Sequence, residues 1–200
     1  MHPNRSFRDD SPDLHRSLIE EVGFGTIFLQ TPDGPRVAHA ALVSTGIDTL
    51  QFHLARGNAL TRHLDGNTAL IVVNGPDGYV SARWYADADQ VPTWNYVAIE
   101  LEGSVRKLND AELFQQLERL SAEREAKVEG GQPWTMDKMS PRHRDGLMRA
   151  IVGFELKIET RRETVKLSQN KQLEERERVI TGLEAQGAVE IAQAMREFGK

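Results

Sequence analysis

The chain has 200 residues, 39% of them hydrophobic and 28% charged, with no cysteine and a formal net charge of −5. That length suits one compact domain with a full core, and the lack of thiols excludes disulfides, thiolate nucleophiles, Cys-ligated zinc and iron–sulfur clusters. The acidic balance works against a surface that grips a phosphate backbone, and no run of about 18 apolar residues offers a membrane span. Met1-His2-Pro3-Asn4-Arg5 lacks the apolar stretch of a secretory leader, so a cytoplasmic location is expected.

In chain order, Ser11-Pro12-Asp13 reads as a helix start, with Ser11 as N-cap and Leu14, Leu18, Ile19 and Val22 at helical spacing up to Gly23. Gly25 to Gln30 is rich in β-formers, Thr31-Pro32-Asp33-Gly34-Pro35 supplies a turn, and Val37 to Ser44 completes a hairpin. Thr49 to Ala55 alternates as a third strand, followed by Arg56-Gly57 and a short helical stretch from Asn58 to Leu64. Thr68 to Val73 is a buried strand, punctuated by Asn74-Gly75-Pro76-Asp77-Gly78 before Tyr79-Val80-Ser81 resumes extended structure. Trp94 to Leu108 is the longest strand, with a bulge expected at Gly103.

Asp110 is the expected cap of a helix to about Lys127 with an apolar stripe of Leu113, Leu117 and Leu120. A further helix is expected from Ser140-Pro141 to Ala150, then strands at Ile151 to Ile158 and Thr164 to Ser168. From Glu174 to Phe198 the composition is helical, interrupted at Gly182 and Gly187. The fold class is mainly β with flanking helices (α+β), in one domain over 1–200 with a helical tail from about 171 to 200.

Four stretches concentrate chemistry. In His53-Leu54-Ala55-Arg56-Gly57-Asn58 a strand ends at a guanidinium and an expected helix starts at an asparagine, an outline that suits one phosphate. The same spacing also describes a plain strand-to-helix turn with a solvated arginine. Ser81-Ala82-Arg83-Trp84-Tyr85, Pro92-Thr93-Trp94-Asn95-Tyr96 and Lys166-Leu167-Ser168-Gln169-Asn170 mix flat aromatic walls with amide, hydroxyl and ammonium groups, as a planar cofactor requires. Core aromatics would give the same composition. His39 and His53 lie on neighbouring expected strands without a third metal ligand, and metalloprotease, nucleophile-elbow and phosphate-loop motifs are missing.

The runs Pro92 to Tyr96, Ile151-Val152-Gly153-Phe154-Glu155-Leu156 and Lys166 to Asn170, in this order and spacing, resemble the PaiB-like FMN-binding negative transcriptional regulators. The resemblance extends from Phe7-Arg8 to Gly182-Leu183. It implies an FMN-binding split β-barrel related to pyridoxamine-phosphate oxidases, FMN as cofactor, and a homodimer with flavin at the interface. It also implies that Arg56 and Asn58 hold the FMN phosphate and that His39, His53 and Ser81 lie along the flavin. Trp84, Tyr85, Thr93, Trp94, Asn95, Tyr96, Lys166, Ser168, Gln169 and Asn170 would complete the site. Two departures stand out: Ala82 follows Ser81 where the family commonly has proline, and Glu163-Thr164-Val165 replaces a Gly-Lys-Trp-Lys-type run. A flavin-binding regulator is the first functional expectation, an FMN-dependent oxidoreductase or flavin reductase the second, and a haem-binding barrel the third. Without a basic recognition helix, any effect on DNA is expected to be indirect.

Overall fold

The computed structural model describes residues 4–8 and 12–198, and the expected N-cap Ser11 and the Leu14 side chain lie outside what it describes. Six strands form a closed barrel: β1 (Phe24–Thr31), β2 (Gly34–Ser44), β3 (Thr49–Ala55), β4 (Thr68–Val80), β5 (Thr93–Lys107) and β6 (Ile151–Lys166). Their order around the barrel is β1-β2-β3-β6-β5-β4. Among the described residues five helices flank it: α1 (Pro12–Val22), α2 (Asp110–Glu125), α3 (Pro141–Arg149), α4 (Leu173–Ala185) and α5 (Val189–Phe198). Among the described residues no helix is long and apolar enough to cross a membrane.

The chain divides into two compact units, one of residues 15–73 and 100–161, the other of residues 74–99 and 162 onward together with the first 14. The first unit holds β1, β2, β3, α2 and α3. Closure is visible at Ile27, which pairs with Ala38 on one side and Ile71 on the other and is completely buried. A closed ring leaves no free strand edge to recruit another chain. On the far side β3 and β6 pair antiparallel from Thr49↔Lys157 to Ala55↔Ile151. Phe52 and Phe154 are partners in that register, and their rings stack with centroids 5.6 Å apart in the core.

In β5 the buried positions are 95, 97, 99, 101, 103 and 105, so the two-residue period runs unbroken through Gly103. A bulge would have moved the buried set to the other parity. The glycine instead answers a close approach: a Cβ there would stand 1.9 Å from the Lys157 carbonyl oxygen on β6. The extra residue is in β4, where buried positions pass from 69, 71 and 73 to 78 and 80. The expected turn at Asn74–Gly78 is therefore continuous strand with a change of face. The two strands expected over residues 151–158 and 164–168 are likewise one, β6, which ends at Lys166.

Local signals place the helices. Gly23, at φ +58, ends α1 with its N–H on the Ile19 carbonyl. The cap of α2 is Asn109, not Asp110: its side chain accepts from the Glu112 N–H while Glu112 accepts from the Asn109 N–H. In the second unit α4 runs straight through Gly182, and the break falls at Gly187, at φ +78. Val179, Ile180, Leu183, Ile191, Ala192 and Met195 form the buried faces of α4 and α5.

Gly103→Ala should lower stability by about 3 kcal/mol or more, because backbone on β6 cannot yield as a side chain would. Urea unfolding of the purified variant checks it; a midpoint unchanged from the parent would contradict the close approach.

Candidate functional site

Within the first unit, the β3–β6 register sets the ends of two strands side by side, and Arg56 follows β3 directly. Its N–H donates to the Ala150 carbonyl at 2.8 Å, its Nε to the Arg149 carbonyl at 2.8 Å and its Nη2 to the Ile151 carbonyl at 3.1 Å. The guanidinium thus receives the carbonyl-rich C-terminal end of α3, where a cation is favoured. Residues 58–63 are successive turns, and Asn58 accepts the Leu60 N–H at 2.9 Å within one of them. The expected helix is missing because the segment closes short turns on itself, so the proposed helix-end contribution to an anion cradle is missing too.

A different cradle occupies this corner. Arg56, Lys107 and Arg149 line a cleft of about 440 Å³ whose floor includes Leu108, Leu113 and Val152. The side chains of Lys107 and Arg149 have no hydrogen-bond or ion-pair partner among the described residues, and Nη1 of Arg56 is equally available. Asp110 and Asp145 also line the cleft, but Asp145 is paired with Arg144 at 3.3 Å. Three cations above an apolar floor form a donor set that fits a phosphate monoester. Neither Lys107 nor Arg149 carries a local sequence signal, because the end of β5 and the end of α3, 42 residues apart in the chain, bring them to one cleft.

His53, on β3, is half-buried and its Nδ1 lies 3.2 Å from Oε1 of Gln116 on α2. Burial holds its imidazolium pKa below the usual value, partly offset by that hydrogen bond. Gln116 is itself buried, and its Nε2 has no partner among the described residues. His39 stands on the outer face of β2, with Nδ1 3.1 Å from Thr26 Oγ1 and its ring stacked on Phe24. No group of three or more His, Asp or Glu is arranged to hold a metal among the described residues.

In the second unit the aromatic and amide runs do meet, but mostly to satisfy one another. Fully buried Asn95 donates from Nδ2 to Ser168 Oγ at 2.9 Å, and the Ser168 hydroxyl lies 3.3 Å from Asn95 Oδ1. Ser168 is the one non-glycine residue at positive φ, +61, among the described residues. Gln169 clamps the same turn, accepting the Leu167 N–H and donating to the Val165 carbonyl. Lys166 donates to Thr93 Oγ1, and burial lowers its pKa. Trp94 donates from Nε1 to Asp77 at 2.9 Å and meets the Tyr79 ring edge to face. Tyr85 is buried under the Lys171 ammonium, 5.2 Å from its ring centre, while Tyr96 is half-buried and Asn170 exposed. These residues lock the end of β6 to the start of β5. Of the expected set, Ser81 and Trp84 line an open hollow in this unit, with Tyr79, Arg83, Leu183 and Gln186.

A closed six-stranded barrel in this strand order, with helices flanking it, is the architecture of the split-barrel flavoproteins. Residues 1–160 match the family described as "Putative FMN-binding domain", and the chain belongs to it. FMN is the cofactor which that membership assigns. The chain is PaiB-like: it is 29% identical to the protease synthase and sporulation protein PAI 2 of Bacillus subtilis, over 90% of this chain and 89% of that one. An uncharacterized protein of Emericella nidulans, AN0679, is also 29% identical, over 84% and 79% of the two chains. Among solved structures, the FAD and haem binding protein of Mycobacterium smegmatis superposes with a TM-score of 0.59 at 18% identity, covering 84% of this chain and 77% of that one. The flavocytochrome Anf3 of Azotobacter vinelandii gives 0.58 at 15% identity over 82% and 72%. Both structures share the fold.

Two outcomes follow from the site geometry. Asn95→Ala should cost about 2 kcal/mol in urea unfolding by leaving the buried Ser168 hydroxyl without its partner, and a loss near zero would remove the lock. Because His53 has a folded pKa below its ordinary 6.5, the unfolded chain binds that proton more readily. Its contribution is therefore complete above 6.5 and is lost as the pH falls through the depressed folded value. His53→Gln should flatten the fall in unfolding midpoint between about pH 7.5 and about pH 5.5; a parallel profile would contradict this.

Proposed function

We propose that this chain is a cytoplasmic, flavin-binding negative regulator of transcription that works as a homodimer and uses FMN as a bound ligand. The observation that carries the flavin part is the cationic cleft: Lys107 and Arg149 are unpaired and Arg56 has a free Nη1. Cations held without partners stabilise an incoming dianion more than cations already bonded to carboxylates. Arg56, Lys107 and Arg149 would hold the phosphate of FMN. Bound FMN supplies one- and two-electron chemistry at its ring.

The regulatory reading is supported by the likeness to PAI 2, a sporulation protein by name. It is supported also by the commitment of His53 to Gln116, Lys166 to Thr93 and Trp94 to Asp77. Groups so engaged position the fold more readily than they shuttle protons. With a net charge of −5, the effect on DNA passes through a partner.

The homodimer is supported by the outer face of β1 and β2. Phe24, Phe28 and Val37 are 53%, 39% and 46% exposed, and Phe28 and Val37 are direct cross-strand partners. Three large apolar side chains on neighbouring strands form a patch that a second copy would cover.

Lys107→Ala and Arg149→Ala should each weaken FMN binding by about 1.5 kcal/mol, roughly tenfold in Kd, in a flavin fluorescence titration. Unchanged affinity in both would empty the cleft of this role. Val37→Asp should convert the species seen in sedimentation velocity from dimer to monomer, and a parent protein that is itself monomeric would end the dimer reading. FMN-loaded protein that turns over reduced nicotinamide would favour an oxidoreductase instead.

A further inference from the structure

The hollow in the second unit is separate in composition from the cationic cleft and fits a different ligand. It encloses about 550 Å³ and is lined by Tyr79, Ser81, Arg83, Trp84, Leu183 and Gln186. At this size it falls within the range of small-molecule sites, and its lining mixes aromatic rings with charged and neutral polar groups.

Its aromatic wall is held in place from below. A Cβ on Gly182 would stand 2.3 Å from Cδ2, 2.6 Å from Cε2 and 2.7 Å from Cγ of Trp84, so α4 meets the indole across the ring and only glycine fits. The next turn of chain is tied to the same helix, because the Ala86 N–H donates to both carboxylate oxygens of Glu175 at 3.1 and 3.0 Å. Tyr79 adds a second ring, itself braced edge to face against Trp94 at 5.8 Å.

The polar groups of the hollow point to charge. Arg83 is its one charged lining side chain, and its guanidinium has no hydrogen bond or ion pair among the described residues. Ser81 Oγ accepts the Arg83 N–H at 3.3 Å, which leaves its hydroxyl proton to donate elsewhere. The Gln186 side chain likewise has no partner among the described residues.

We infer that this hollow binds a planar aromatic monocarboxylate, stacked against Trp84 and Tyr79 with its carboxylate on Arg83. One guanidinium matches one carboxylate, with Ser81 and Gln186 supplying neutral donors at the edge. The site lies within one unit and shares no lining residue with the cleft assigned to the FMN phosphate, so each reading can fail without the other.

The test is calorimetric titration of the full-length protein with 2-naphthoate and with its uncharged counterpart 2-naphthalenemethanol, with and without saturating FMN. The expected result is saturable binding of naphthoate, about tenfold tighter than the alcohol, unchanged by FMN. Arg83→Gln, at an exposed position, should abolish the preference for the acid and leave FMN binding intact. Lys107→Ala should do the reverse. Equal affinity for acid and alcohol, no saturable binding, or displacement by FMN would each overturn the inference. So would loss of FMN binding in Arg83→Gln, which would make the hollow part of the flavin site.

Discussion

The antiparallel register of β3 with β6 fixes most of what this protein can do. Pairing Ala55 with Ile151 ends both strands at the same level and brings the α3 carbonyls onto the backbone N–H and guanidinium of Arg56. One residue of slip would turn every side chain on β3 to the opposite face, unstack Phe52 from Phe154 and carry His53 away from Gln116. The same register brings Gly153 under Leu108 and Leu113, where an added Cβ would stand 3.0 Å from each side chain. The floor of the cleft and its cations are therefore by-products of how the barrel is closed.

A division of labour among polar groups runs through both units. Asn95, Ser168, Gln169 and Lys166 are paired with partners inside the protein, as buried polar groups must be if they are not to destabilise it. Lys107, Arg149 and Arg83 are left with unused donors at the mouths of concave surfaces. The first set gives the fold its specificity, and the second is where a ligand gains most by binding. The aromatic-amide runs that look like a cofactor cage in one dimension belong mainly to the first set.

The barrel was legible because its strands alternate and its turns carry Gly, Pro and Asp. The family resemblance was legible because its motifs are contiguous in the chain. What could not be read came from long-range geometry. Asn74 to Gly78 has turn chemistry yet stays extended within β4, where the buried face changes parity. Gly103 looks like a bulge, but its reason is a carbonyl on another strand. Asn58 looks like a helix cap, and only the structure shows it closing a tight turn. Lys107, Arg149 and Gln116 were missed because each gains its meaning from residues tens of positions away. Arg83, by contrast, lies inside the contiguous Ser81 to Tyr85 run, and only its lack of a partner needs the structure to see.

A phosphate held by Arg56, Lys107 and Arg149 should account for much of the affinity of this fold for FMN. Comparing the affinities of FMN and riboflavin for the unmodified protein under one buffer tests it directly, since the two ligands differ by that phosphate alone. FMN should bind at least about tenfold more tightly, with the difference shrinking as salt rises. Equal affinities for the two flavins would contradict it.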